Sequence, residues 1–148
     1  MPRLTFGIAL DFGSKLRPLR AQLERQSALL EPAERAGFAI VAAGETGSPG
    51  GFHLPNALLV LAALAQRTGL RLCTGIALLP AWPVRKLALD AAELDQLSGG
   101  RVILGVGLGS PLLRTQAGWP AEAIGETADE SLEALRHLWS GAADYKGK

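Results

Sequence analysis

Apolar residues recur along this chain in two alternating rhythms. At 4–10, "LTFGIAL", Leu4, Phe6, Ile8 and Leu10 alternate with Thr5, Gly7 and Ala9, the period of two expected of a strand. Pro18 then suits the first turn of a helix carrying Leu19, Leu23, Leu29 and Leu30, which Pro32 kinks or splits before Gly37 closes it. "FAIVAA" at 38–43 reads as a second strand, short and apolar as a buried parallel strand should be. A glycine-rich stretch follows, and Pro55 opens a second helix running to Arg67, with Gly69 as its stop. "LRLCTGIALL" at 70–79 is the third strand, and "PAWP" separates it from a helix over 84–97 that Ser98-Gly99-Gly100 ends. "RVILGVG" at 101–107 is the fourth. Beyond a loop rich in Gly and Pro, Thr127 and Glu130 have capping-box spacing at the start of a last helix, whose apolar face is Ala128, Leu132, Leu135 and Trp139.

Four strands thus alternate with helices through short crossovers, which predicts parallel strands lying side by side in chain order. An open sheet places its crevice where strand order reverses, and no long connection here suggests a reversal. Strands added in simple succession favour a barrel. A complete eight-stranded barrel needs roughly 250 residues, and this chain has 148. The expectation is an α/β chain of TIM-barrel type with about four parallel strands: one (β/α)4 half-barrel domain over 1–148, a partial version of a larger domain.

Composition narrows the function. Hydrophobic residues make up 48% and charged residues 20%, with Lys+Arg 15 against Asp+Glu 14, the balance of a soluble globular protein. A net charge of +1 without a sustained basic run gives nucleic acid nothing to hold by counterion release. The longest apolar run, "ALLVLAALA" at 57–65, is too short to cross a bilayer, and Asp11 interrupts the N-terminus too early for a signal peptide. The single cysteine, Cys73, excludes an internal disulfide and a cysteine-based zinc cluster and reads as a buried thiol. A cytoplasmic protein without membrane or nucleic-acid partners is expected.

The stretch "LDQLSGGRVILGVGLGS", 94–110, is the candidate phosphate loop. A dinucleotide fingerprint needs a strand, then G-x-G-x-x-G opening a helix, with an acidic residue about twenty positions on. Here Gly105, Gly107 and Gly109 are evenly spaced, the last one position early, and Ser110-Pro111 stand where a helix should begin. No Lys-Ser/Thr pair supplies the alternative phosphate loop. The better reading makes Gly105 a strand residue that permits close approach of a neighbour, with Gly107 and Gly109 shaping the loop at the carboxyl end, where barrel enzymes build their sites.

"AERAGFAIVAAGET", "LAALAQRTGLRLCTGIALLP", "PVRKLALDAAELDQLSGGRVILGVGLGS" and "LEALRHLWSG", in that order, resemble the luciferase-like monooxygenase superfamily of flavin- or deazaflavin-dependent oxidoreductases, amino-terminal half only. The resemblance implies FMN or a deazaflavin coenzyme, completed by the missing half or a partner chain, because later strands hold the cofactor phosphate in the family. It also implies a small-molecule substrate and, through the apolar segment "NALLVLAALAQ", a homodimer or higher oligomer.

Residue by residue, the pair Gly75-Ile76 matches the third-strand position where the family often has a non-prolyl cis peptide behind the ring; an ordinary strand glycine is the other reading. Glu45 lies where the family carries an acidic residue after the second strand, or is a solvated loop carboxylate. Luciferase-type members follow that glutamate with histidine, where this chain has Thr46, which cannot exchange a proton near neutral pH as imidazole does. His53, in the same loop, reaches the site or sits on the surface as part of a lid. Deazaflavin-dependent sugar dehydrogenases of the family place glutamate where Ser110 stands. Trp82 either lines the pocket or covers the barrel end, and Asp11, ending the first strand toward the same face as Glu45, caps or orders a loop. Glu45, Thr46 and His53 are therefore the candidate catalytic residues, and Asp11, Gly75, Ile76, Gly107, Gly109 and Ser110 the candidate cofactor-binding ones; no metal site is expected. Two other classes remain: a noncatalytic half-barrel subunit or degenerate paralogue acting through oligomerisation, and an unrelated small α/β binding domain.

Overall fold

The alternation at the N-terminus carries only its second half into the sheet. In the computed structural model, which describes residues 4–12, 18–45, 56–119 and 124–141, strand β1 spans Gly7–Leu10. Leu4 and Phe6 precede it, 83% and 59% exposed. Helices α1 (Leu19–Ser27) and α2 (Leu30–Arg35) lead to β2 (Ile40–Ala43). Next come α3 (Ala57–Ala65), β3 (Arg71–Thr74), β4 (Ala77–Leu78) and a 3-10 turn at Leu79–Ala81. Then follow α4 (Val84–Ser98), β5 (Val102–Ile103), β6 (Val106–Gly107), α5 (Pro111–Ala117) and α6 (Ile124–Trp139).

The sheet is parallel with order β1-β2-β3-β5, continued by the pair β4-β6. It is a four-stranded parallel sheet of the kind that makes half of an eight-stranded barrel, as expected. Its two faces differ. Leu10, Val41, Ala43, Leu72 and Thr74 are buried against the helices, together with Leu61 and Leu64 of α3 and Leu87 of α4. The alternate positions form the open face, where Ala9, Ala42, Cys73 and Ile103 stand in register across four strands. β1 is bonded to β2 alone and β5 to β3 alone among the described strands, so each presents an unpaired edge.

Several sequence expectations shift. The strands read at 70–79 and 101–107 each divide in two. Cys73 faces Ile103 and Ala77 faces Val106, so three residues, 74–76, oppose two, 104–105. That extra residue is a β-bulge, and it resets the alternation. The helix break expected at Pro32 falls earlier, at Ala28-Leu29, because proline cannot donate to the carbonyl of residue 28 and its ring crowds it. Thr127 does not start α6, which begins three residues before it at Ile124. The Gly/Pro-rich loop contains α5: the Ser110 hydroxyl accepts from the Leu113 N–H at 3.2 Å and Pro111 takes the first helical position.

The amino ends of the strands are tied by one cation. Arg101 donates from Nη1 to the carbonyls of Thr68 (2.7 Å) and Leu70 (2.8 Å), from Nη2 to Ala65 (2.8 Å) and from Nε to Ser98 (2.6 Å). It thereby satisfies orphan carbonyls at the ends of both α3 and α4. Glu34 joins the same corner, accepting from the Thr68 hydroxyl and the Gly69 N–H. The Thr68 hydrogen bond, then the Gly69 one, hold its carboxyl below the usual glutamate range despite some desolvation.

Arg101→Met keeps the stem and removes all four donations. Urea unfolding should show a loss of about 2–3 kcal/mol, the scale of hydrogen bonds to a charged group. Since the folded-state pKa of Glu34 is depressed, its contribution is complete above the ordinary carboxylate value and is lost as pH falls through the lowered one. Thr68→Val should raise the Glu34 midpoint in a carbon-13 titration and flatten that part of the acid-stability profile.

Candidate functional site

At the carboxyl ends of the strands the backbones come closer than side chains allow. A Cβ on Gly44 would lie 2.2 Å from the Gly75 carbonyl oxygen, and one on Gly105 would lie 2.3 Å from that of Thr74. The ladder continues through this crowding: Gly75 N–H donates to Ala43 (2.9 Å) and Ala77 N–H to Gly105 (2.9 Å). The Thr74 hydroxyl adds a 2.7 Å bond to the Gly105 carbonyl. The Gly75–Ile76 peptide bond is cis, at the position the family resemblance implied. Ile76 lies over Gly107, its Cδ1 2.3 Å from where a Cβ there would stand. Beside it Ala42 and Gly75 share one face, 3.4 Å apart when a Cβ is placed on the glycine. The result is a surface of small residues at Ala42, Cys73 and Gly75, flanked by the branched side chains of Ile76 and Ile103.

Cys73 stands in the same row. Burial raises its thiol pKa, with Arg71 opposing more weakly. It therefore remains protonated at neutral pH and is a poor nucleophile.

Glu45 departs from a solvated carboxylate. It is 3% exposed. Its Oε2 accepts from the Leu78 N–H at 2.8 Å, and its Oε1 from the Ala57 N–H, the first of α3, at 3.3 Å. The Trp82 indole N–H reaches both oxygens, at 3.1 and 3.0 Å. The main-chain N–H of Glu45 donates to the Ile76 carbonyl at 2.8 Å. Trp82 is thus fixed by a hydrogen bond, an arrangement that "LLPAWPV" alone could not reveal. Asn56 caps α3 beside this cluster, accepting from the Leu59 N–H at 3.0 Å.

The other candidates are dispersed. Asp11 is exposed, its carbonyl accepting from the Gln26 side chain at 2.7 Å. Because Leu10 is buried opposite Ala43, Asp11 and Glu45 alternate to opposite faces. Gly109, at φ +75°, turns the chain between β6 and α5, where Ser110 is the helix cap. Thr46 and His53 lie outside the described residues. No group of three or more His, Cys, Asp or Glu gathers among the described residues, and no described helix is long and apolar enough to cross a membrane.

Comparison with known proteins identifies the family of the fold. The family model for luciferase-like monooxygenases matches residues 4–148. The oxygenase component of a flavin-dependent trigonelline monooxygenase from Acinetobacter baylyi is 32% identical over 124 residues, 81% of this chain and 34% of that protein. The crystal structure of monooxygenase RslO1 from Streptomyces bottropensis superposes with TM-score 0.85 at 31% identity, covering 98% of this chain and 46% of that one. The oxygenating constituent of 3,6-diketocamphane monooxygenase from Pseudomonas putida, solved with FMN, shares the fold at TM-score 0.78 and 22% identity, over 97% of this chain and 43% of its own. The chain therefore spans less than half the length of these relatives, and over that span it belongs to the luciferase-like monooxygenase family.

Proposed function

We propose that this chain supplies one wall of a flavin site in an oxygenase acting on a small organic molecule. The observation that carries the reading is the flat row of Ala42, Cys73 and Gly75 on the open face, closed at one end by Ile76 over Gly107. Such a surface fits a planar ring, and a side chain at Gly75 would occupy that space. With a reduced flavin held there, the cofactor would supply the two electrons needed for dioxygen to give one oxygen atom to the substrate while the other, with two protons, leaves as water. The chain's own part is to support the ring and exclude water from one side. Proton exchange near neutral pH falls to His53, in the connection between β2 and α3, with Thr46 as a hydrogen-bond donor beside Glu45. FMN, the ligand named for the camphane enzyme, is the first cofactor to test; a deazaflavin coenzyme is the second.

A second reading rests on the unpaired edges of β1 and β5: the half-barrel acts by association with another chain. Sedimentation separates the two, since this reading requires dimers or larger species with no flavin uptake.

For the flavin reading, titration of the chain with FMN should quench flavin fluorescence and induce a visible circular dichroism band; an absence of both overturns it. Gly107→Ala should turn the Ile76 side chain away from its present position with little loss of stability and weaken FMN binding severalfold, because the displaced Cδ1 changes the edge of the ring surface. Adding Ile76→Ala to the same chain should restore most of the affinity, because the atom in conflict is gone.

A further inference from the structure

We propose that Glu45 is a positioning residue, a buried carboxylate that holds the 76–82 segment in place from behind without touching what binds on the open face. The proposal rests on the flavin reading above. Strand alternation gives the direction: Val41 and Ala43 are 0% and 2% exposed on the helix side, and Glu45, two residues on, is 3% exposed. Ala42 and Gly44 take the other side. A carboxylate so placed lies behind the sheet and not over it.

Its partners explain why the site needs it. Every hydrogen bond made by the carboxylate is accepted from an N–H group, and these come from three separate segments: the start of α3, β4 and the turn after it. No Lys or Arg of the described residues pairs with it; Lys86, which shares the cavity of about 510 Å³ beside Glu45 and Trp82, is bound to Asp90. The negative charge is balanced by aligned dipoles, including the amino end of the nine-residue helix α3. Two of the contacts come from one residue gripping the same strand twice. The main-chain N–H of Glu45 fixes the Ile76 carbonyl, and its side chain fixes the Leu78 N–H two residues later. Ile76 flanks the flat surface, and the carboxylate reaches it through the chain, by fixing Leu78 two residues beyond it. A neutral apolar residue would leave two buried main-chain donors and the half-buried indole N–H unmatched, which disfavours the present path of the segment.

The test compares wild type, Glu45→Gln and Trp82→Phe. Glu45→Gln keeps the size but sets an NH2 group against an N–H donor. FMN affinity is measured for folded protein, with the visible circular dichroism of bound FMN, and the amide shifts of Ile76, Ala77 and Leu78 are followed by NMR. The expected result for Glu45→Gln is an FMN dissociation constant raised about tenfold, with shifted amides and an altered dichroism band. Trp82→Phe removes one donor and leaves the carboxylate; it should give a smaller change in the same direction. It decides the question if Glu45→Gln does not fold. A purely structural role would lower the melting temperature and leave the affinity and dichroism of the folded fraction unchanged, and that result overturns the proposal. Failure of the wild-type chain to take up FMN overturns the flavin reading instead. The amide shifts then judge Glu45 alone, and amides that stay put in Glu45→Gln overturn its role.

Discussion

One extra residue in the third strand governs the rest of the structure. With three residues at 74–76 set against two at 104–105, the strands on either side must keep their hydrogen bonds across a mismatch. They do so by bringing main chain against main chain at Gly105, which meets the Thr74 carbonyl; on the other side of the strand Gly44 meets that of Gly75. The bulge also rotates the side chains beyond it, so that Ile76 sits over Gly107 where simple alternation would have sent it toward the helices. Glycines at these positions are the condition under which a parallel sheet can carry such a shift without opening.

The two ends of the sheet solve different problems. At the amino end, Arg101 and Glu34 gather loose carbonyls and amides into one polar corner that fixes helices α3 and α4. At the carboxyl end the same task falls to Glu45, with amide donors in place of carbonyls. A cation serves helix C-termini and a carboxylate serves a helix N-terminus, as the backbone dipoles require. The Trp139 indole, bound to the Ala88 carbonyl at 3.1 Å, then locks α6 onto α4 and closes the helical layer behind the sheet.

Much of this was legible in the residues. Period-two and helical spacing gave four strand regions and their intervening helices, and succession without reversal gave the parallel order. What spacing could not show was the register. The bulge is a relation between 74–76 and 104–105, thirty residues apart, and nothing local in "CTGIAL" states it. The same holds for Glu45: counted from Val41 and Ala43 its burial was readable, but its donors come from Ala57, Leu78 and Trp82. Ser110-Pro111 was a local signal that went the other way, a helix start inside what reads as a loop. The Gly105-x-Gly107-x-Gly109 series serves three purposes, close approach, space for Ile76 and a left-handed turn, and the letters alone do not tell them apart.

Cys73 sits at the centre of the open face, half-buried in the row with Ala42 and Ile103, and the chain has no other cysteine. That single thiol is a built-in gauge of enclosure. Its rate of alkylation by a neutral reagent falls as the face is covered, both because access narrows and because burial further suppresses the reactive thiolate. A strand added at either edge, a bound ring or a second chain would each slow it, and by different amounts for small and bulky reagents. The residue with the least chemistry of its own thus reports on everything that comes to cover the sheet.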